Sequence, residues 1–316
     1  MNDVLIEVRD LRKTYVVGLR RRKVEAVKGI SFDVRRGEIF GIVGPNGAGK
    51  TSTIKILTGL MQQTSGEAKL FGYPASDVAS RRHLGYLPEG PYFYEHLKVE
   101  ELLVYYGQLH GLPKELVRKR ADELISRVGL DHARGRALKK FSKGMRQRAG
   151  LAQALINDPE LVILDEPQSG LDPVGRKEVR DLIFDLKQRG KTVVFSSHIL
   201  PDVEAVCDRV ALFHLGELKK LGNLQEIMNQ NKQGIEIVVT GVDAKKLPEF
   251  EDLRGVEERT SALFLDFTPS IDIAKVVLAL QNVGAEIQSV TSKREDLEQV
   301  FLRGTGVETA SQEEEE

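Results

Sequence analysis

Residues 44 to 51 read Gly44-Pro45-Asn46-Gly47-Ala48-Gly49-Lys50-Thr51 and fill every fixed position of Gly-x4-Gly-Lys-[Ser/Thr], the pattern of a loop that wraps a nucleotide phosphate chain. The mostly apolar residues Phe40, Gly41, Ile42 and Val43 before it read as the end of a buried strand, and Ile54, Ile56, Leu57 and Leu60 after it fall close to helical spacing. A place between strand and helix is what phosphate binding requires. Gly44, Gly47 and Gly49 let backbone N–H groups turn inward, and the following helix offers its unpaired N–H groups and positive dipole end to an anion. Lys50 would reach the β and γ phosphates, and Thr51 would place its hydroxyl on Mg²⁺.

A second stretch points to the same chemistry. Leu161-Val162-Ile163-Leu164 is an unbroken apolar run that ends in Asp165-Glu166, the pattern of a central parallel strand whose C-terminal end opens on a site. Asp165 there can hold Mg²⁺, directly or through water, and Glu166 can orient or deprotonate an attacking water. The strand Thr192 to Ser197 ends at His198, whose imidazole could bond a γ-phosphate and a catalytic carboxylate together; a lone histidine is more often structural. Leu84 to Leu87 reads as a further strand with Glu89 on the loop at its end.

The remaining elements frame these. Val4, Ile6 and Val8 alternate as a strand, and a second strand pattern runs from Val24 to Val34 with a turn pair, Lys28-Gly29, inside it. Tyr15 could stack on a purine or pack on its own sheet, and the local pattern leaves both open. The basic run Gly18 to Lys23 reads as a solvated hairpin tip before it reads as a contact for anionic lipid headgroups. Tyr92, Phe93 and Tyr94 are expected mainly in the core, with a docking surface as the alternative. Helices are expected over 99–109 and over 114–129, the latter with Leu116, Val117, Leu124, Ile125 and Val128 on its apolar side. Ser142 is a good N-cap for the helix after it, and taken alone that helix end is more often a cap than a second anion site. Ser169 to Pro173 makes a turn before a helix over 174–189.

Composition bounds the rest. The 316 residues are long for one domain, 41% hydrophobic content suffices for sizeable cores, and a formal net charge of -1 gives no electrostatic reason to expect nucleic acid as a partner. The single cysteine, Cys207, permits no internal disulfide and fits a reducing compartment. Met1 to Asp10 has no apolar core like that of a signal peptide, and no apolar run reaches the roughly 18 to 20 residues that cross a bilayer, so any membrane role needs other chains.

Taken in order, these motifs resemble the ATP-binding cassette family over residues 4 to about 223. The resemblance implies a mixed α/β P-loop NTPase fold for residues 1–223, with an N-terminal antiparallel β subdomain and a helical subdomain over about 90–150. It makes Tyr15 the adenine-stacking aromatic, residues 44–51 with Ser52 the nucleotide loop, and Glu89 an occupant of the usual glutamine position that senses Mg²⁺ and a membrane subunit. Phe141 to Gln147 becomes the signature segment, in which Ser142, Gly144 and Met145 meet phosphate. Asp165 and Glu166 become the acidic pair, Ser169 to Asp172 the dimer-contact loop, and His198 the switch histidine. In the family, two cassettes face each other head to tail with ATP between one loop and the other chain's signature. This chain, with one such loop, is therefore expected to pair with a second copy or a related cassette.

Three departures, Phe-Ser-Lys-Gly-Met in the signature, Glu89, and Gln168, resemble the exporter branch whose permease subunits are of the ABC-2 class. They imply a peripheral ATPase on the cytoplasmic face of the cell membrane, with ATP and Mg²⁺ as ligands. An ATPase driving envelope machinery without transport, and a nucleotide-sensing module, are the rival readings; retention of Glu166 and His198 argues against the second. Residues 224–304 read as a small accessory α+β domain with strands over 235–239, 262–267 and 286–290 and helices at Ile273 to Val283 and around Leu297 to Phe301. Asn223 to Gly234 reads as a linker or exposed helix, and residues 305–316 as a disordered acidic tail.

Overall fold

Alternation of side chains across a strand decides the start of the chain. In the computed structural model, which describes residues 3–18, 21–229, 232–259, 261–294 and 297–305, β1 (Val4–Val17) pairs antiparallel with β2 (Arg22–Arg35). Ile6, Val8 and Leu11 share one buried cluster with Val27, Ile30 and Phe32. The expected turn at Lys28-Gly29 is instead an irregularity inside β2: Gly29 has φ +82°, and the register shifts between Leu11↔Ile30 and Arg12↔Lys28. The positive φ is what calls for glycine there, since a Cβ would meet only the movable ends of the Asp10 and Arg12 side chains. Leu19 and Arg20 of the basic run lie outside the described residues.

β3 (Ile39–Val43) is buried along its whole length, and α1 (Lys50–Leu57) follows the glycine-rich loop. The chain then returns to the first sheet through β4 (Ser65–Leu70) and β5 (Tyr73–Pro74), completing the order β2-β1-β4-β5. From β6 (Leu84–Leu87) it enters the helices α2 (Val99–Leu109), α3 (Lys114–Arg127) and α4 (Lys143–Leu155), then returns as β7 (Leu161–Leu164). α5 (Pro173–Gln188), β8 (Thr192–Ser197), α6 (Leu200–Glu204), β9 (Arg209–His214) and β10 (Glu217–Asn223) complete this part. The second sheet has the order β10-β9-β3-β8-β7-β6, parallel except for its β10 edge. Its central strands are buried on both faces and largely apolar, as suits a sheet covered on both sides.

Two expectations about burial change. Phe93 is buried, but Tyr92 and Tyr94 are 92% and 54% exposed, and Tyr94 packs edge-on against Tyr105 at 5.7 Å rather than in the core. Leu116 is likewise 37% exposed: Val117, Ala121, Leu124 and Ile125 already fill the buried stripe of α3.

The contacts divide the chain into two compact units, Met1–Leu224 and Gln225–Glu316. Of the two readings of Asn223 to Gly234, linker or exposed helix, the helix is present, though partly buried. β10 runs to Asn223, α7 (Leu224–Asn229) follows at once with Leu224 and Ile227 buried, and β11 (Lys232–Thr240) begins three residues on. The second unit has a sheet of order β12-β13-β11-β14 from β11, β12 (Leu253–Arg259), β13 (Ala262–Phe267) and β14 (Glu286–Arg294). Ile237, Val239, Leu265 and Phe267 share its core with Val276 and Leu280 of α8 (Ile273–Asn282), and α9 (Leu297–Thr305) ends the described chain. β12 escaped the sequence reading because nearly all of it is exposed and carries no apolar alternation. The expected acidic tail lies outside the described residues. Among the described residues, no helix is long and apolar enough to cross a membrane.

Gly85 fixes how closely α4 approaches the parallel sheet, since a Cβ there would run into the Ala154 carbonyl. Gly85→Ala is therefore expected to cost about 1–3 kcal/mol of stability by overpacking, read as a lower urea midpoint at unchanged slope.

Candidate nucleotide-binding site

Parallel pairing brings the chemistry-bearing residues to one edge. Val43 is in register with Ser197, and Leu164 with both Leu87 and Phe195, so the loops carrying Lys50, His198, Asp165 and Glu89 all leave the sheet on the same side. This is the C-terminal edge, where open α/β sheets collect ligands.

The glycine-rich loop holds its shape through close backbone contacts. Gly49, at φ 103°, is the N-cap of α1, and a Cβ there would lie 2.5 Å from the Ala26 carbonyl. A Cβ on Gly44 would collide with the Phe213 carbonyl. Gly44 N donates to Ser197 O at 3.3 Å, and Gly216 N donates to Ala48 O at 3.1 Å, which ties the loop to β8 and to the β9–β10 turn. No side chain caps the first turn of α1, so its N–H groups and positive end are available to an anion.

Lys50 is buried, with 5% of its side chain exposed. Its ammonium donates to the Gly44 and Pro45 carbonyls at 2.7 and 3.2 Å and pairs with Glu166 Oε1 at 3.1 Å. The other oxygen of Glu166 lies 2.8 Å from His198 Nδ1. Glu166 itself has φ +48°, a conformation that costs a non-glycine residue free energy and persists only when neighbours impose it. They do so here: Glu166 N donates to Ser196 Oγ at 2.9 Å, and Ser169 N donates to Glu166 O at 3.1 Å.

Asp165 is buried beside this chain of charges. It accepts from Ser196 Oγ at 2.7 Å and Thr51 Oγ1 at 3.3 Å. Burial pushes its pKa up; the two hydroxyl bonds oppose the rise, and the charges of Glu166 and Glu89 add to it.

A cavity of about 790 Å³ lies over the loop. Of the residues singled out in the sequence, it gathers Tyr15, Pro45 to Ser52, Glu89, Glu166 and His198. Tyr15 Oη lies 3.0 Å from both Ser52 Oγ and Met61 Sδ, so its ring is held at the cavity wall by its own hydroxyl. Val24, Glu25, Ala26 and Ser169 also line it and were not singled out as contacts. The first three sit opposite Tyr15 along β2, where cross-strand register is the signal that could have found them: Tyr15 pairs with Val24 and Thr14 with Glu25.

Ser142, Gly144, Met145 and Asp172 do not line the cavity. Ser142 caps α4 by accepting from Met145 N at 3.2 Å, and Asp172 caps α5 by accepting from Gly175 N at 2.8 Å. Of the expected metal-binding oxygens, Thr51 and Asp165 are in contact and Glu89 lines the same cavity. Among the described residues, no group of three His, Cys, Asp or Glu side chains could hold a metal by itself. A hydroxyl and a carboxylate are nonetheless the hard oxygen donors that suit Mg²⁺, which takes few protein ligands when phosphates share it.

The ABC transporter family model matches residues 27–169. An uncharacterized ABC transporter ATP-binding protein of Synechocystis sp. is 41% identical over 302 residues, 95% of this chain and 84% of that protein. The chain belongs to the ABC transporter ATP-binding protein family. Its cassette is an ATP-binding ATPase domain. The bacitracin transport ATP-binding protein of Bacillus licheniformis is 33% identical over 96% of this chain and 97% of its own length. A solved dimeric structure of a bacterial ABC transporter cassette is 25% identical, with a TM-score of 0.65 over 70% of this chain and 99% of that one.

Two measurements check the electrostatics of the ABC site. Ser196→Ala leaves Glu166 N and Asp165 Oδ1 each short of a partner in a buried place, an expected loss of about 1–3 kcal/mol in urea unfolding. Asp165 gives the opposite sign. Its folded pKa is raised, so its contribution favours the folded chain below the ordinary aspartate value of 3.8 and is lost as pH rises through the raised value. Asp165→Asn should therefore raise the Tm of the nucleotide-free chain near pH 7, with the gain vanishing below pH 3.8. A gain that is constant across pH would contradict the assignment.

Proposed function

We propose that this chain is the ATP-hydrolysing subunit of an ABC-2 type membrane exporter, seated on permease subunits at the cytoplasmic face of the membrane. The observation that carries the hydrolytic reading is the continuous chain Lys50–Glu166–His198 beside Asp165 and the nucleotide loop. Exporter coupling draws on the bacitracin transport relative, whose likeness extends over nearly the full length of both chains.

The resting contacts support the following order of steps. When the phosphates enter the loop, Lys50 exchanges Glu166 for phosphate oxygens, since an ammonium held by carbonyls gains more from a polyanion than from one carboxylate. That exchange frees Glu166 to accept a proton from the attacking water, while His198 keeps the carboxylate oriented through its second oxygen. Thr51 and Asp165 would hold Mg²⁺, which supplies positive charge against the phosphates. Tyr15, at the cavity wall, stacks on the adenine, and Glu89 carries the state of the site to the permease.

The cavity of one chain lacks Ser142, Gly144, Met145 and Asp172. In the proposed assembly these come from a second copy or a related cassette, and ATP closes the pair while hydrolysis lets it open. A solved cassette relative that is dimeric supports this reading.

Glu166→Gln should bind ATP with affinity close to the parent, pair in the presence of ATP on gel filtration, and hydrolyse at least about 100-fold more slowly, the usual scale of a lost general base. Turnover at the parent rate would remove Glu166 from the mechanism. For the transport step, the chain should copurify from membranes with a multi-helix permease; a partner without a multi-helix pore would overturn the exporter reading.

A further inference from the structure

Two side chains near the site carry a buried polar atom that finds no partner among the described residues, and the two atoms are complementary. Gln147 and Gln168 are each 2% exposed; Gln147 Nε2 is an unused donor and Gln168 Oε1 an unused acceptor. The other end of Gln168 is only loosely held, Nε2 donating to the Arg176 carbonyl at 3.5 Å. Buried amides without partners are rare in folded chains and ask for an explanation.

Their surroundings place them at one joint. On α4, Gly144, Gln147 and Gly150 follow at three-residue spacing along one face. At one end of that stripe, a Cβ on Gly144 would lie 3.3 Å from Leu171; at the other, a Cβ on Gly150 would meet Leu87 and Pro91. Leu87 pairs with Leu164, and its carbonyl accepts from Asp165 N at 2.8 Å. Gln147 therefore lies between the start and the end of the turn that runs from Asp165 through Gln168 to Leu171. That turn is a tight unit, with Ser169 N donating to Glu166 O and Leu171 N donating to Gln168 O. Gln168 is two residues from Glu166, and Gln147 is on the helix capped by Ser142.

We propose that Gln147 and Gln168 are positioning residues that form a direct amide–amide hydrogen bond when nucleotide closes the site, locking α4 to the turn that carries Glu166. The proposal rests on the reading of this chain as an ATPase that works by closure. This structure leaves one donor and one acceptor unused, and a movement of α4 toward the turn would satisfy both at once. The bond would act on hydrolysis rather than on ATP capture, since neither side chain lines the nucleotide cavity.

The test uses methionine, which keeps length and removes both polar atoms. In the full chain, Gln147→Met and Gln168→Met should each lower kcat for ATP about tenfold, leave KM within about twofold, and leave the nucleotide-free Tm unchanged or higher, because an unpaired buried group is being replaced by an apolar one. The double variant should be no slower than the slower single one, the mark of one shared interaction. Full kcat in either single variant, multiplied losses in the double, or a Tm that falls with kcat would overturn the pair. A parent chain that turns over no ATP would sink the functional reading and the pair with it. Turnover by the parent beside unaffected variants would sink the pair alone.

Discussion

Burial of the Lys50 ammonium organises this molecule. An ammonium removed from water is tolerated only when every donor is met, and here two loop carbonyls and one carboxylate meet them. Each partner imposes a demand. The carbonyls of Gly44 and Pro45 can point inward only if the loop curls as it does, which its glycines permit. The carboxylate must arrive from another strand, which fixes the stagger between β3 and β7 across the intervening β8. Glu166 reaches Lys50 from a left-handed backbone, which Ser196 helps to hold. Loop curvature, strand register and local strain are thus consequences of one charge.

Lys50 holds one oxygen of Glu166 and His198 the other, so the carboxylate is fixed in orientation while each oxygen keeps a further lone pair. In the proposed mechanism, phosphate that draws Lys50 away leaves one of those oxygens open to the attacking water. Asp165 is treated differently: it receives two hydroxyl donors and no cation, and burial accordingly raises its pKa. An uncompensated carboxylate next to a hydroxyl is a place where added positive charge is favourable.

Much of this was legible because it follows from short-range rules. The glycine-rich loop, the apolar run into Asp165-Glu166 and the cap Ser142 each announce themselves within a few residues, and the helix at Val99–Leu109 fell where its pattern put it. What was hidden depends on partners far along the chain. Nothing beside Ser196 marks it as the support of Glu166, thirty residues away, and nothing beside Ala26 tells that its carbonyl forbids a side chain on Gly49. Tyr92 and Tyr94 misled because aromatic composition measures hydrophobic capacity and not access to a core. Gly29 misled because a strand bulge and a turn ask for the same backbone freedom.

The two capped helices α4 and α5 differ in the charge at their starts. α5 begins on Asp172, whose carboxylate both caps the helix and offsets its positive end. α4 begins on neutral Ser142, has no acidic residue in its first turn, and places Lys143 and Arg146 there instead. A helix start that concentrates positive charge is unfavourable by itself, since the dipole and the side chains repel. Natural sequences more often place acids at such ends. In the proposed pairing, the polyphosphate held by the second copy's loop would supply the missing negative charge. The charge that destabilises α4 alone then becomes attraction across the pair, and it is strongest while the γ-phosphate remains. Closure and release would follow from electrostatics already written into the first turn of one helix.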